Sequence, residues 1–439
     1  MDAPLSSTTR TLAAALTATL PPASGSADAS AVLASVELPA RAFQCLTVDL
    51  VDAAVGHGVA PLLYRAVTGA DALGALSPAV RARLTCAARE AVLLDSIQRR
   101  DLQSTLGALH AAGLRPIVFK GAALAATHYE EGWLRPRGDT DLLIPPNAVA
   151  QARATLERLG CQRTLRPEGR AVTYQASYAR QVDGVEVTYD LHWRVSDPQA
   201  FRDALTYEEL DADAEVVEGV APDARCPGAV HALLLACVHR AAHHHDRDRL
   251  LFLCDIDRIA RRLGDGDWHA FADLAVQKRL RQVCRRGLDL TSTLFGTPVP
   301  QVVRRSLDQG SPPEPTALYV QEGLRRVDIL RSDLGQLAGW RGRVGLLREH
   351  LFPAPAYLLE KYDCRSPILL PFLYLDRIAR GAWRWCRPIG QGLGPSVLVL
   401  GLSLVLGLSL VRGRPSGLVL GPASAPAADG NQGPRTKPA

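Results

Sequence analysis

Asp139 and Asp141 stand two residues apart at the head of an apolar run, within Arg137-Gly138-Asp139-Thr140-Asp141-Leu142-Leu143-Ile144. On a β-strand, residues i and i+2 project from the same face, so the two carboxylates converge while Thr140 and Leu142 point the other way. Like charges held side by side are costly unless a cation neutralises them. A hard divalent ion that takes carboxylate oxygens and substrate phosphates suits such a pair: magnesium first, with manganese as the alternative. The competing reading is an acidic turn before a strand, and for an Asp-x-Asp considered alone it is the stronger one.

The flanking residues shift that balance. Upstream, residues 114–119 read as a short buried strand that ends at Lys120-Gly121, with a helix expected over 122–129. A strand, a glycine turn and a helix start together present free backbone N–H groups to an anion, and glycine lets a phosphate come close. Lys120 would add a point charge. Taken singly, a solvent lysine and a plain turn are the simpler readings of these two residues. Downstream, 172–182 and 185–193 read as two strands joined by Asp183-Gly184, a hairpin signal. In the second strand Glu186, Thr188, Asp190 and His192 share one face. Asp190 is then either a third carboxylate facing the pair or one more polar residue on a solvated face.

The ordered set Lys120-Gly121, Arg137-Gly138-Asp139-Thr140-Asp141 and Asp190-Leu191-His192-Trp193 resembles the bacterial nucleotidyltransferase-family proteins of the polymerase-beta-like superfamily. Weaker similarity runs from about residue 57 to 375. The resemblance implies a mixed-sheet catalytic core and metal-dependent transfer of a nucleoside monophosphate from a nucleoside triphosphate. It implies that Asp139, Asp141 and Asp190 are both the catalytic and the metal-binding carboxylates. Lys120 and Gly121 would lie beside the triphosphate, with Arg137 near the same site. His192 shares a face with Asp190 and reads equally as a residue near the site or as a strand-end histidine at the surface. The acceptor would be a hydroxyl or phosphate of a small molecule, a sugar phosphate or a protein. One departure stands out: the superfamily's Gly-Ser pair is Gly121-Ala122 here, which offers no serine hydroxyl to phosphate, and the gap to Asp139 is longer than usual. Two other readings compete. One is an inactive nucleotide-binding or regulatory protein of the same fold, and the other is a helical interaction scaffold.

These residues need a body to hold them. The chain has 439 residues, enough to bury a large core in two or three domains. The expected fold is α+β: a small mixed-sheet nucleotidyltransferase core over 113–220, flanked by helical regions at 31–112 and 228–387. Within these, amphipathic helices are expected over 60–67 and 80–110, and a loop over 222–227. Residues 1–30, rich in Ala, Thr, Ser and Pro, read as a flexible N-terminus, partly helical at best, and 412–439 as a disordered tail. The formal net charge of +5 is small for this length, and no Lys/Arg stripe interleaved with aromatics marks a nucleic-acid binder. Nine cysteines without a Cys-x-x-Cys pair fit a reduced, cytoplasmic protein.

Two further features lie outside the motif set. His231, His239, His243, His244 and His245 cluster in the second helical region. His239 and His243 have the i,i+4 spacing of a two-histidine zinc face, but no Glu follows His239, and a polar helix face lining the nucleotide cleft is the preferred reading. Asp255, Asp257 and Arg258 read as surface residues or a structural ion pair. Residues 388–411 carry no charge, and Arg377, Arg380, Arg384, Arg387, Trp383 and Trp385 precede them. This is a candidate membrane anchor of borderline length, with a buried helix as the equal alternative.

Overall fold

The structure, a computed structural model, describes residues 6–17, 43, 45–164, 172–246, 249–309, 313–385 and 387. The segments 388–411 and 412–439 lie outside the described residues. Helices α1 (Ser7–Thr17), α2 (Val48–Gly56), α3 (Ala60–Gly69) and α4 (Pro78–Ala111) come first. Strand β1 (Ile117–Phe119) runs directly into α5 (Lys120–Thr127), followed by β2 (Thr140–Leu143), α6 (Val149–Arg158) and β3 (Gln162–Arg163). The hairpin β4 (Gln175–Val182) and β5 (Val185–His192) leads to α7 (Tyr207–Ala212), β6 (Glu215–Val216) and β7 (Arg225–Cys226). The rest is helical: α8 (Ala229–Ala242), α9 (Leu250–Ala260), α10 (Asp265–Gln277), α11 (Arg281–Phe295), α12 (Gln301–Asp308), α13 (Arg326–Gln336), α14 (Gly339–Leu351), α15 (Pro355–Lys361) and α16 (Leu370–Trp385).

The seven strands form one mixed sheet in the order β3-β4-β5-β2-β1-β7-β6. β1 and β2 pair antiparallel, whereas β2–β5 and β1–β7 are parallel. Asp183 and Gly184 both adopt positive φ (50° and 77°), the conformation a two-residue turn needs to match the twist of its strands. That turn closes on the pair Val182–Val185 and fixes the register of the whole hairpin.

Alternation along the strands gives the sheet two buried faces. Val118, Leu142, Tyr189 and Leu191 pack with Leu102, Leu106 and Leu109 of α4 and with Leu156 of α6. Ile117, Phe119 and Leu143 face the larger core, where α8 and α9 (Leu233, Leu234, Leu253) meet the N-terminal helices (Leu12, Leu63). α4 itself starts at a capping Ser77 whose side chain accepts from the Val80 N–H, with Pro78 in its first turn.

Three local features bear on the sequence reading. Residues 7–17 supply the helical part of the N-terminal segment, because Leu12, Ala13 and Leu16 make a short apolar stripe that is buried. The Pro-bounded segment 222–227 contains strand β7, whose Arg225 pairs with Ile117, so the sheet continues beyond residue 220. Asp255, Asp257 and Arg258 follow the ion-pair reading and not the surface one: all three are buried, and they pair with Arg135, Arg261 and Glu130 respectively. Among the described residues, no helix is long and apolar enough to cross a membrane.

Candidate active site

Registry across four strands lines up Ser177 (β4), Asp190 (β5), Asp141 (β2) and Phe119 (β1) as direct neighbours on one face of the sheet. The parallel pairing of β2 with β5 sets Asp141 beside Asp190, and His192 follows two residues later on the same face. Ligand atoms of Asp141, Asp190 and His192 all lie within 4.8 Å of one another, and all three residues are buried. Asp190 and His192 thus lie together with Asp141 on this face.

Lys120 reaches this group from the neighbouring strand end. Its Nζ donates to Asp141 Oδ1 at 2.8 Å and lies 3.5 Å from His192 Nε2, which itself is 2.8 Å from the same carboxylate oxygen. The chain turns sharply out of β1 at Lys120, which adopts φ 51°. A left-handed conformation costs a non-glycine residue about 1–2 kcal/mol, and here the bend brings the ammonium over the carboxylate. Burial would raise the Asp141 pKa, but Lys120 and then His192 outweigh it and hold the carboxyl well below its usual range.

Asp139 sits just before β2 rather than within it, half-buried at the edge of the group. Burial, and then the charges of Asp141 and Asp190, push its pKa up to about 6 in spite of Lys120 and Arg135. The site thus gathers more negative charge than its own cations offset, which is the condition a divalent ion relieves. Two carboxylates and an imidazole suit magnesium or manganese, with the nitrogen donor more at home on manganese.

Gly121 is required by a close approach. A Cβ there would collide with the Arg135 guanidinium. Arg135 is buried, and its Nε and Nη2 donate to Asp255 at 3.1 and 2.7 Å, while the Tyr129 hydroxyl donates to the same carboxylate at 2.7 Å. Arg137 points elsewhere: its Nη1 donates to Asp95 at 2.7 Å, and Gln98 donates to its backbone carbonyl. Of the two arginines in Arg135-Pro136-Arg137, the one nearer the Lys120-Gly121 turn is therefore Arg135, and nothing in the tripeptide distinguishes them.

Ser177 and Gln175 also escaped the motif reading. Ser177 Oγ donates to Asp190 Oδ1 at 2.5 Å, and Gln175 Nε2 donates to Oδ2 at 3.4 Å. A signal for Ser177 did exist: counting back from the Asp183-Gly184 turn pairs it with Asp190.

The histidines of α8 close the far side. His239 and Phe252 share a cavity of about 20 Å³ with Lys120, Arg135 and Asp255. His239 Nε2 is 3.1 Å from His244 Nε2, and the His239 ring meets Phe252 edge-on. Burial, and then Lys120, keep His239 and His243 neutral, with pKa values well below the ordinary histidine range. Among the described residues they form no three-ligand metal group.

Residues 48–296, more than half of the chain and the whole of this sheet, match a protein-family model described as an uncharacterised nucleotidyltransferase. The chain belongs to this nucleotidyltransferase family. No curated protein matches it. In the family's terms, the buried Asp141–Asp190–His192 group is a set of residues that could bind a metal ion within the matched region.

Proposed function

We propose that this nucleotidyltransferase-family protein moves a nucleoside monophosphate from a nucleoside triphosphate to an acceptor hydroxyl or phosphate, within a polymerase-beta-like core. The observation that carries the reading is the placement of Asp141 and Asp190 side by side on parallel strands, with His192 and Lys120 against them.

Asp139, Asp141 and Asp190 would hold magnesium or manganese, with His192 adjoining. When bound, the ion supplies positive charge for the triphosphate oxygens and makes an acceptor hydroxyl easier to ionise. The protein's own groups do the remaining work. Lys120, already positioned by its φ, exchanges part of its contact with Asp141 for a phosphate oxygen. Gly121 leaves the turn open to the same phosphates. Asp190, oriented by Ser177 and Gln175, takes the acceptor proton as the acceptor oxygen attacks the α-phosphorus. The bond from the α-phosphorus to the bridging oxygen breaks, and pyrophosphate leaves. Arg137 steadies the loop before β2 through Asp95, and Arg135 is tied to Asp255. Positioning and electrostatics suffice for such a transfer.

One observation favours the inactive nucleotide-binding alternative: the Lys120 ammonium already neutralises Asp141, and Ala122 stands where the superfamily carries a serine. Incubating the full chain in lysate with each α-labelled triphosphate and magnesium separates the two. The active reading predicts label transfer that is lost in Asp139→Ala/Asp141→Ala. Transfer that persists in the double variant rejects the site, and no transfer from any triphosphate selects the inactive reading.

A further inference from the structure

The catalytic body and the C-terminal helices differ in charge and in surface. Residues 1–338 sum to a formal charge of −3, residues 339–387 to +5 and residues 388–439 to +3, which together give the chain's +5. Before residue 339, the exposed large apolar side chains among the described residues are valines and one leucine. From residue 340 on they are Trp340 (70% exposed), Val344, Phe352 (53%), Ile368 (82%), Phe372 (56%) and Leu375 (64%). Ile368, in the short 3-10 turn Pro367–Leu369 that leads into α16, and Phe372 and Leu375, at the start of α16, recur at i, i+4 and i+7. Trp340 and Val344 are i,i+4 on α14.

α14, α15 and α16 hold one another in place. Arg377 donates to the His350 carbonyl at 3.2 Å, the Tyr374 hydroxyl donates to the Pro353 carbonyl at 2.7 Å, and the Phe352 and Tyr374 rings lie 5.6 Å apart. The apolar side chains are thus presented outward by a packed helical unit. This unit lies wholly outside the family-matched region 48–296.

We propose that the α14–α16 face docks on the surface of an anionic lipid bilayer. Exposed aromatic and aliphatic side chains among arginines are what an interfacial helix presents: the apolar groups enter the acyl boundary and the cations meet acidic headgroups. A nucleic acid would use the arginines and leave Ile368, Phe372 and Leu375 in water. A folded protein partner of ordinary surface would bury the stripe and leave the +5 of residues 339–387 unmatched. The sequence continues the theme, since residues 388–411, which follow α16 in the chain, carry no charge. Membrane attachment of the catalytic body would bring it to acceptors held at a bilayer surface, and this inference stands whether or not the site transfers nucleotides.

The test is co-sedimentation of the full chain with sucrose-loaded phosphatidylcholine vesicles, with and without about 30 mol% phosphatidylglycerol. The wild type sediments with the anionic vesicles, and about 0.5 M salt weakens the association. Ile368→Ser/Phe372→Ser/Leu375→Ser keeps every arginine and residues 388–411, and it lowers partitioning by at least about tenfold with an unchanged melting curve. Trp340→Ser/Val344→Ser, on the neighbouring helix, acts in the same direction and serves if the triple variant misfolds. Wild type that ignores anionic vesicles overturns the proposal. So do variants that sediment like the wild type, which would leave the tail alone responsible. A chain that instead self-associates through the stripe, or binds only nucleic acid, overturns it as well.

Discussion

Lys120 and Gly121 show how closely this site constrains single residues. Lys120 accepts an unfavourable backbone conformation and Gly121 gives up its side chain, so that one cation reaches Asp141 and another, Arg135, passes overhead to Asp255. Gly121→Ala should therefore destabilise the fold by about 1–3 kcal/mol, measured by urea denaturation, because Arg135 is packed and ion-paired and cannot simply swing aside. Elsewhere, His128 makes the fold sensitive to acid. Burial, and then the charge of Arg262, lower its pKa from 6.5 to about 4. Between those values the unfolded chain binds the proton more readily than the folded one, so stability is lost as pH falls through that window, by at most about 3 kcal/mol. His128→Gln should flatten that part of the profile of melting temperature against pH, and an unaltered slope would show that other groups dominate it.

Among the elements, the register of the sheet decides the site. The hairpin was legible because Asp183-Gly184 can do little else between two alternating strands, and its register carries Ser177 to Asp190. The convergence of Asp141 with Asp190 was legible only as an expectation: alternation fixes which face a residue occupies, but not which strand lies alongside. The Arg135–Asp255 pair was beyond reach, since it joins residues 120 positions apart and Arg137 was chemically its equal. β7 was hidden by its length of two residues between prolines. Because Arg135 is buried, Asp255→Ala should cost about 3–5 kcal/mol by stranding its charge and should loosen the Lys120-Gly121 turn. A loss below about 1 kcal/mol would mean the guanidinium finds water or another partner.

Across the whole molecule, helices that precede the sheet in the chain and helices that follow it close over one of its faces. α1 contributes Leu12 and Leu16 to the same core as α8 and α9. Composition concealed this, because a Thr- and Ala-rich lead looks like a linker until its apolar residues are placed on a helix. Leu12→Ala should lower global stability by about 2–5 kcal/mol, seen as a shift of the single unfolding transition and not as fraying of one end. The family-matched body holds the sheet and its carboxylates, whereas the basic helices beyond it present an apolar stripe.

The central claim is that Asp141 and Asp190 share a divalent ion. The direct measurement is the free manganese signal in electron paramagnetic resonance while the full chain is titrated in with a non-hydrolysable triphosphate. Uptake of manganese by the wild type, abolished in a folded Asp141→Asn/Asp190→Asn variant, is the predicted result. Undiminished uptake by that variant, or none by the wild type, would contradict it.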